Sequence, residues 1–185
     1  MTELTGDFFA PDTLEVARNL LGVEIALNGC RGIVVETEAY KTDDASHFKT
    51  RRTKGKALAE SYGTVYIYLN YGMYHLLNFT TEKDGIGAVL IRAIQPTEGL
   101  DMMKQRRKTD NILNLTNGPG KLCQAFDIGP ELNEEPVGKS IGLYGREHEP
   151  DIGTSNRIGI SRATNLKWRF FIKGNKFVSK HKVKK

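Results

Sequence analysis

The sequence predicts an α+β fold in which a single compact domain, residues 1–185, is built around a mostly antiparallel sheet. Short stretches of alternating apolar and polar residues, separated by turn residues, predict several strands joined as hairpins. Only three stretches carry apolar residues at the spacing of an amphipathic helix. Hydrophobic residues make up 39% of the chain, enough to bury a core, and no repeat or linker divides it.

The first part of the chain predicts one helix and two strands. The helix begins at Asp12 or Thr13, either of which can cap it, and ends at Gly22. Strands are expected at 23–27 and 33–39. The helix presents its apolar residues on one face: Leu14, Ala17, Leu20 and Leu21.

A long loop and a hairpin are expected next. Residues 41–63 are polar, basic and contain glycine, and long loops in compact domains are often functional. Residues 64–70 alternate and predict a strand, a tight turn follows because Gly72 can take a positive φ, and 74–80 predict the return strand. The side chains expected to face the core are Val65, Ile67 and Leu69, and those expected to face away are Tyr66, Tyr68 and Asn70.

The second half predicts two further helices and four strands. A strand at 87–94 leads through 95–97 into a helix that ends at Arg107. Another helix opens at 117–119, where Pro119 suits the first helical turn. The remaining short strands are expected at 141–144, 157–160 and 170–172.

The distribution of charge favours a polyanionic partner. The formal net charge is +5, and basic residues fall into three clusters, at 49–56, 104–108 and 176–185. One basic run is usually a solvated surface, whereas three of them in a small chain indicate contacts to phosphates. The last cluster is expected to form a flexible tail.

Several classes of site are not expected. Cys30 and Cys123 lack the spacing of a metal site and the four histidines form no ligand motif, so we expect no metal and no cofactor. Apolar runs are too short to span a membrane, and the first twelve residues carry no apolar signal core. We expect a cytoplasmic protein that acts as a monomer.

Two acids and a tyrosine alternate along the second predicted strand. Glu36, Glu38 and Tyr40 therefore share one face of it. One interpretation is a solvated strand face. The other is a carboxylate that serves as a general base, beside an aromatic ring that binds a flat substrate. The spacing does not choose between Glu36 and Glu38.

Four of the seven tyrosines fall within nine residues, at Tyr66, Tyr68, Tyr71 and Tyr74. A cross-strand aromatic ladder is the simplest explanation for such a cluster. Tyr71 does not fit it, because a side chain at the tip of a tight hairpin has no core to enter. An exposed aromatic tip beside basic clusters is what a wedge for duplex DNA requires.

Three further polar residues are candidates for a site. Asn78 and Arg92 each lie in an otherwise apolar strand, where a buried polar residue is usually held by hydrogen bonds. A charged residue in that position can also orient a water or a carboxylate. His47 is weak evidence by itself, because most isolated histidines are structural or exposed.

Six segments, taken in order, resemble the alkyladenine (3-methyladenine, methylpurine) DNA glycosylase family. They are VVETEAY at 34–40 followed by His47, GTVYIYLNYGMYHLLN at 63–78, GIGAVLIRAIQPTEGL at 85–100, NGPGKLCQAF at 117–126, RIGISRA at 157–163 and RFFIKG at 169–174. The resemblance covers nearly the whole chain and is that of a bacterial-type minimal member. It implies a curved antiparallel sheet with flanking helices and a protruding YGMY hairpin.

The resemblance also implies roles for seven residues. Glu38 would be the general base that activates the attacking water, and Arg92 would help to hold that water. Tyr71 would be inserted into the duplex, and Asn78 would help to exclude bases with an exocyclic amino group such as guanine. The pocket around the flipped base would be formed by Tyr40, His47, Tyr68 and Asn78.

The expected function is that of a monofunctional DNA glycosylase. It would flip alkylated or deaminated purines out of double-stranded DNA and hydrolyse the N-glycosidic bond, leaving an abasic site for base excision repair. The expected lesions are of the 3-methyladenine, 7-methylguanine, hypoxanthine and ethenoadenine class. Two alternatives stay open: a non-catalytic DNA-binding module, and a nuclease that uses Glu36 and Glu38 around Mg²⁺.

Overall fold

The computed structural model describes residues 2–50 and 61–180. Within these ranges it contains four helices: α1 (Thr13–Asn19), α2 (His47–Thr50), α3 (Leu100–Arg107) and α4 (Pro119–Phe126). It contains eight strands in the same ranges: β1 (Glu24–Leu27), β2 (Cys30–Tyr40), β3 (Val65–Asn70), β4 (Tyr74–Thr81), β5 (Gly87–Glu98), β6 (Gly142–Tyr144), β7 (Ile152–Ser155) and β8 (Arg169–Ile172).

The strands form one sheet in which all the pairings between strands are antiparallel. Its order is β3-β4-β5-β2-β1-β6, and β8 joins it by pairing with both β2 and β7. Strand β2 is the centre of this arrangement, since its first half pairs with β1 and its second half with β8, while β5 runs along its other edge. The predicted α+β class, with a mostly antiparallel sheet and hairpin connections, is confirmed.

The two faces of the sheet differ because side chains alternate along each strand. One face packs against α1 and α4 and forms the hydrophobic core. Core members from the helices and strands include Val16, Ala17, Ile67, Leu77, Phe79, Val89, Ile91, Leu122 and Phe126. The opposite face carries the aromatic and polar residues of the same strands, and these line a cavity: Tyr66, Tyr68, Asn78, Leu90 and Arg92.

The first helix follows the sequence signals closely. Asp12 precedes α1, and its side chain accepts the backbone N–H of Leu14 at 2.8 Å, which satisfies one of the free donors at the helix start. Gly22 lies beyond the helix end with a φ of 87°. The Asp12 alternative for the cap is therefore the one the chain uses.

Two predicted boundaries are wrong for the same reason. The sequence 95–97 was expected to lead into a helix, but β5 continues through Glu98, and α3 begins only after Gly99. A proline near a helix start is a local preference, and here pairing with β2 overrides it, since Pro96 lies opposite Gly32. A Cβ at Gly32 would lie 2.4 Å from the Ile94 side chain, so the two strands approach closely at this point.

Other expectations also fail or fall outside the described residues. The strand predicted at 157–160 is a loop, because Gly159 has a φ of 76° and breaks the extended backbone; β7 forms earlier instead. Leu69, expected in the core, is 41% exposed because the β3–β4 hairpin extends beyond the packed helices. Residues 51–60 of the predicted loop and basic cluster, and 181–185 of the predicted flexible tail, lie outside the described residues.

Candidate active site

A cavity of about 610 Å³ lies on the polar face of the sheet, a size typical of small-molecule pockets. Its floor comes from β3, β4 and β5, where every second residue faces the cavity rather than the core. Its walls are formed by residues 44–47, which lead into α2, and by the loop 158–162. Residues separated by more than 100 positions in the chain therefore enclose one space.

A buried carboxylate lies against this cavity. Glu38, on β2, is 0% exposed, and three donor groups contact its carboxylate. Its Oε1 accepts the backbone N–H of Ile158 at 2.7 Å, and its Oε2 accepts the Tyr40 hydroxyl at 2.8 Å. The Arg92 guanidinium lies 3.3 Å from the same Oε2. The interpretation of this strand face as solvated is wrong.

Arg92 reaches the acid from a local irregularity in the sheet. In the β2–β5 pairing, Glu36 lies opposite Ala93 and Thr37 opposite Ile91, so Arg92 has no direct partner on β2. Such a bulge re-aims a side chain, and bulges often occur beside active sites. Arg92 is buried and contacts two carboxylates, Glu38 and, at 3.3 Å from Nε, Glu36.

The environment of Glu38 controls its proton affinity. Burial raises the pKa of Glu38 above its ordinary value of 4.5, the neighbouring Glu36 adds to this rise, and the three donors oppose it. Burial, together with the adjacent Glu38 carboxylate, also raises the pKa of Tyr40 well above 10.0. Tyr40 therefore stays protonated and donates to the acid. The shift is in the direction that makes the Glu38 carboxylate a better proton acceptor, as a general base requires.

Aromatic rings form the opposite wall of the cavity. The His47 ring lies 4.1 Å from the Tyr68 ring, centroid to centroid, and its Nδ1 lies 3.0 Å from the Tyr66 hydroxyl. His47 begins α2, whereas both tyrosines come from β3. These contacts fix the orientation of the imidazole and leave flat aromatic surface facing the cavity.

Asn78 presents one kind of polar atom to the cavity. Its Nδ2 donates to the backbone carbonyls of Tyr66 and Leu76, both at 3.1 Å. Because the amide hydrogens are used in this way, the group left for a ligand is the acceptor Oδ1. Asn78 is 8% exposed and lies between the apolar residues Leu76 and Leu90 in the cavity lining.

The β3–β4 hairpin carries an exposed aromatic tip at the edge of the cavity. Tyr71 is 82% exposed and also lines the cavity mouth. Its φ is 51° and that of Gly72 is 69°, while the Met73 N–H donates to the Asn70 carbonyl at 3.0 Å. This is the geometry of a type I′ turn, which favours asparagine and glycine at its two central positions. A tyrosine at the first of them is a strained choice, of the kind that proteins keep at functional sites.

The loop that covers Glu38 is itself anchored. Arg157 donates to Asp43 at 2.6 Å and to the Ala39 carbonyl at 2.9 Å, and its guanidinium lies 4.6 Å from the centre of the Tyr40 ring. Both side chains of the Arg157–Asp43 pair are buried. This pair holds the chain immediately before Ile158, which is the residue that donates to Glu38.

Part of the second basic cluster has an internal role. Arg106 donates to the Ala125 carbonyl at 3.0 Å, and Arg107 donates to the Leu115 carbonyl at 3.1 Å. Both arginines thus bind α3 to the segment that leads into and through α4. The general interpretation of residues 104–108 as phosphate contacts does not follow for these two side chains.

Two kinds of feature are absent from the described residues. In the ranges 2–50 and 61–180, no three histidine, cysteine, aspartate or glutamate side chains are grouped so that they could hold a metal ion. None of the helices described is long and apolar enough to cross a membrane.

Comparison with known proteins identifies the family. Residues 7–176 match the methylpurine-DNA glycosylase family. The chain is 43% identical to a protein of Prosthecochloris aestuarii, covering 97% of this chain and 92% of the relative. It is 44% identical to a protein of Agrobacterium fabrum, covering 96% of this chain and 93% of the relative. Both relatives are provisionally named 3-methyladenine DNA glycosylase.

The chain belongs to the methylpurine-DNA glycosylase family.

Membership makes the chain an enzyme that acts on DNA and hydrolyses N-glycosyl bonds. A third relative, from Salinibacter ruber, is 40% identical over 97% of both chains, so the shared region extends over nearly the full length of each protein. The resemblance stated from the sequence is confirmed.

In this methylpurine-DNA glycosylase the seven predicted site residues lie together. Six of them line the same cavity: Tyr40, His47, Tyr68, Tyr71, Asn78 and Arg92. Glu38 is shielded from solvent but contacts Tyr40 and Arg92, which line it. The resemblance implied that His47 and Tyr68 share a pocket, and in the structure α2 and β3 meet through these two rings.

The loop residues that hold Glu38 in place were not expected from the sequence. Ile158 acts through its backbone, which no side-chain pattern reports. For Arg157 the sequence offers only a weak signal: it is a charged residue directly before the apolar residues Ile158 and Ile160, which Gly159 separates. No such pattern marks Asp43. Tyr66 was assigned to the face opposite the core, but its contact with His47 required the folded chain.

Proposed function

We propose that this enzyme is a monofunctional glycosylase that flips a damaged purine out of duplex DNA and hydrolyses its bond to the sugar with a water activated by Glu38. The observation that carries the proposal is the buried carboxylate beside an aromatic cavity. Glu38 has a raised pKa, is held by Ile158, Tyr40 and Arg92, and adjoins a space with flat aromatic walls.

The cavity suits a flat, electron-poor ring. Tyr68, His47 and Tyr40 offer aromatic surface, and stacking of a base on such a ring contributes about 1–3 kcal/mol. An alkylated purine that carries a positive charge gains an additional attraction to the ring face. Lesions of the 3-methyladenine, 7-methylguanine, hypoxanthine and ethenoadenine class fit this description.

Asn78 supports discrimination among purines. Its free Oδ1 accepts hydrogen bonds, whereas its amide hydrogens are already donated to Tyr66 and Leu76. Two hydrogen bonds hold the Asn78 side chain in place beside the apolar Leu76 and Leu90, so we expect an exocyclic 2-amino group at this point to meet a fixed side chain. We therefore expect Asn78 to disfavour unmodified guanine, whose neutral ring gains less from the aromatic walls than the cationic ring of 7-methylguanine does.

The chemistry requires one base and stabilisation of a positive sugar. Cleavage at C1′ passes through an oxocarbenium-like state, as in other glycoside hydrolysis. Ionised Glu38 would take the proton from water and stabilise the positive charge that develops on the sugar. Its Oε1 accepts only the Ile158 N–H among the described contacts, so this oxygen keeps acceptor capacity for a water. Arg92 keeps the carboxylate ionised and oriented.

Extrusion of the base needs a group to fill the gap in the duplex. Unstacking costs a few kcal/mol, least for damaged bases. Tyr71 is exposed at the end of the hairpin and also reaches the cavity mouth, so it can occupy the gap while the base enters the cavity. These two positions, tip and mouth, support the assignment of Tyr71 as the inserted residue.

The alternatives are less well supported. A nuclease would need carboxylates open to Mg²⁺, but Glu36 and Glu38 both contact arginines and are fully buried. A binding module would have no use for a buried carboxyl group whose pKa is raised beside the pocket. Base release separates the glycosylase from both alternatives, and strand cleavage that requires Mg²⁺ separates the nuclease from the binding module.

The direct test is to incubate duplexes that contain single lesions with the protein. We expect free base and abasic sites that break only on treatment with alkali. Glu38→Gln should lower the rate by at least about 10²-fold, because the amide cannot take a proton, while lesion DNA still binds. Glu98→Gln, an exposed acid at the end of β5, is the matched control and should keep the parent rate. Strand breaks that require Mg²⁺, or lesion binding without release of base by the parent, would overturn the proposal.

A further inference from the structure

A second buried carboxylate lies behind the first. Glu36 is 0% exposed, and its Oε1 accepts from Arg169 Nε at 2.6 Å and from the Ser179 hydroxyl at 2.7 Å. Its Oε2 accepts the backbone N–H of Ser179 at 2.7 Å. An ionised carboxylate without solvent needs such donors, because burying a charge is costly unless it is paired and hydrogen-bonded.

Arg92 connects this acid to the active site. Its Nε lies 3.3 Å from Glu36 Oε1, and its Nη1 lies 3.3 Å from Glu38 Oε2. The guanidinium is planar and rigid, so fixing one nitrogen limits where the other can lie. A displacement of Glu36 would therefore move the cation that faces Glu38.

The chain beyond β8 returns to complete the arrangement. Asn175 donates to the Gln95 side chain at 2.7 Å, which ties this segment to β5, and Ser179 follows four residues later. Arg169 donates to Ser155 Oγ at 2.8 Å as well as to Glu36. Residues 175–179, named here the C-terminal strap, thus supply two of the donors to Glu36.

The charges of the cluster balance in a specific way. Two carboxylates, Glu36 and Glu38, face two guanidinium groups, of Arg92 and Arg169. Arg169 and the strap already donate hydrogen bonds to Glu36. Because of these donors, the attraction of Glu36 for Arg92 is weaker than that of an unpaired carboxylate would be. The strength of the interaction between Arg92 and Glu38 therefore depends on how strongly the strap hydrogen-bonds to Glu36.

We propose that Glu36 is a positioning residue that acts on Glu38 through Arg92, and that Ser179 of the C-terminal strap sets the strength of this coupling. The proposal rests on the proposed function in assigning the base role to Glu38. It assigns a purpose to the first acid of the Glu-Thr-Glu sequence and to a segment that lies outside the cavity. Neither Glu36 nor Ser179 lines the cavity, so neither is placed to contact the base directly.

The coupling predicts shifts of opposite sign. Replacing Glu36 by glutamine removes a negative charge and leaves Arg92 to Glu38 alone, so the pKa of Glu38 should fall. Replacing Ser179 by alanine removes one donor from Glu36, which then draws Arg92 more strongly, so the pKa of Glu38 should rise. The other groups that face Glu38 are unchanged in both variants: Tyr40 on β2, the Ile158 N–H, and Arg157 over the Tyr40 ring.

The experiment measures two quantities in the full-length protein. The first is the titration of the Glu38 carboxyl carbon by ¹³C NMR without DNA, assigned with Glu38→Gln. The second is the pH dependence of kcat on a duplex with one lesion. Glu36→Gln should move both midpoints to lower pH and reduce kcat at its plateau by roughly 10- to 100-fold through misplacement of Arg92, with KM little changed. Ser179→Ala should move both midpoints to higher pH.

Control variants separate positioning from folding. Glu36→Asp keeps the charge but shortens the side chain. Compared with Glu36→Gln, it should return the pH midpoint towards the parent value to a greater extent than it returns the plateau kcat. Lys180→Ala alters the exposed residue next to Ser179 and should change neither midpoint.

If Glu36→Gln does not fold, the sign of the Ser179→Ala shift still tests the coupling. Unchanged midpoints, or shifts of the same sign in Glu36→Gln and Ser179→Ala, would overturn the proposal. Absence of base release by the parent would overturn the proposed function, whereas the NMR titration would still test the coupling.

Discussion

The backbone N–H of Ile158 donates to Oε1 of Glu38 at 2.7 Å, across 120 positions of the chain. This bond joins the centre of the sheet to a loop that covers the cavity. The loop is held at its start by the buried pair of Arg157 and Asp43, and Asp43 itself follows shortly after the end of β2. The acid and its donor are thus fixed by one local framework.

Loss of the Asp43 charge should destabilise that framework. In Asp43→Asn, Arg157 stays buried without an anionic partner, and removing one partner of such a pair typically costs about 3 kcal/mol or more of unfolding free energy. Urea denaturation checks this value. Asp44→Asn is the matched control, because Asp44 pairs with Lys49 at the exposed surface and should cost less than about 0.5 kcal/mol. Equal losses in the two variants would contradict the buried framework.

The pH dependence of base release should reflect Glu38. A general base works only when ionised, and burial raises the pKa of Glu38 above 4.5, so kcat should decline on the acid side with a midpoint above 4.5. Single-turnover rates between pH 4 and 9 would measure it, on a lesion that is permanently cationic, so that protonation of the leaving base does not contribute. A midpoint at or below 4.5 would mean that a different group titrates.

The same carboxyl group links stability to pH. Because the folded-state pKa of Glu38 is raised, its contribution to the free energy of unfolding is fully present below about 4.5 and is lost as the pH rises through the folded value. Replacement by glutamine removes this dependence. Comparing urea midpoints of the parent and Glu38→Gln across that window should show the parent losing more stability than the variant as the pH rises. Parallel curves would indicate an ordinary pKa.

Tyr71 should matter for capture of the base and not for folding. Tyr71→Ala removes an 82% exposed ring and should weaken retention of the flipped base by roughly 1–3 kcal/mol of lost stacking. Fluorescence of ethenoadenine in a duplex reports extrusion. Tyr71→Asn should lose capture to the same extent and slightly raise the free energy of unfolding, because asparagine adopts a positive φ more readily than tyrosine.

The control for this hairpin is an exposed apolar residue elsewhere. Leu113 is 44% exposed in the segment between α3 and α4, and Leu113→Ala should leave extrusion unchanged. If Tyr71→Ala flips and excises ethenoadenine as well as the parent, Tyr71 is not the wedge. A fall of several degrees in its Tm would assign the ring to packing instead.

Metal removal and covalent trapping address the chemistry directly. Base release should persist in excess EDTA, since both buried acids are engaged by arginines. No adduct should form with borohydride, because the proposed nucleophile is water and no lysine amine lines the described cavity. Loss of activity with EDTA that is restored by Mg²⁺, or a trapped adduct, would each require a different mechanism.

Much of the fold was determined by local patterns in the sequence. Alternation in residues 64–80 predicted the β3–β4 hairpin, and the Asp12 cap with its apolar spacing predicted α1. These features depend on backbone preference and on which side chains avoid water, and both are properties of neighbouring residues. The choice of Glu38 over Glu36 needed the family resemblance, because identical side chains two positions apart give the same local pattern.

Only the tertiary structure decided the rest. The continuation of β5 through Pro96 and the bulge that aims Arg92 both follow from pairing between distant segments. The burial of Glu36 by Arg169 and Ser179 involves residues more than 130 positions away. Side-chain pKa values and ion pairs depend on which groups lie close together in the folded protein. Local sequence patterns do not report contacts between segments that meet only when the strands pair with β2.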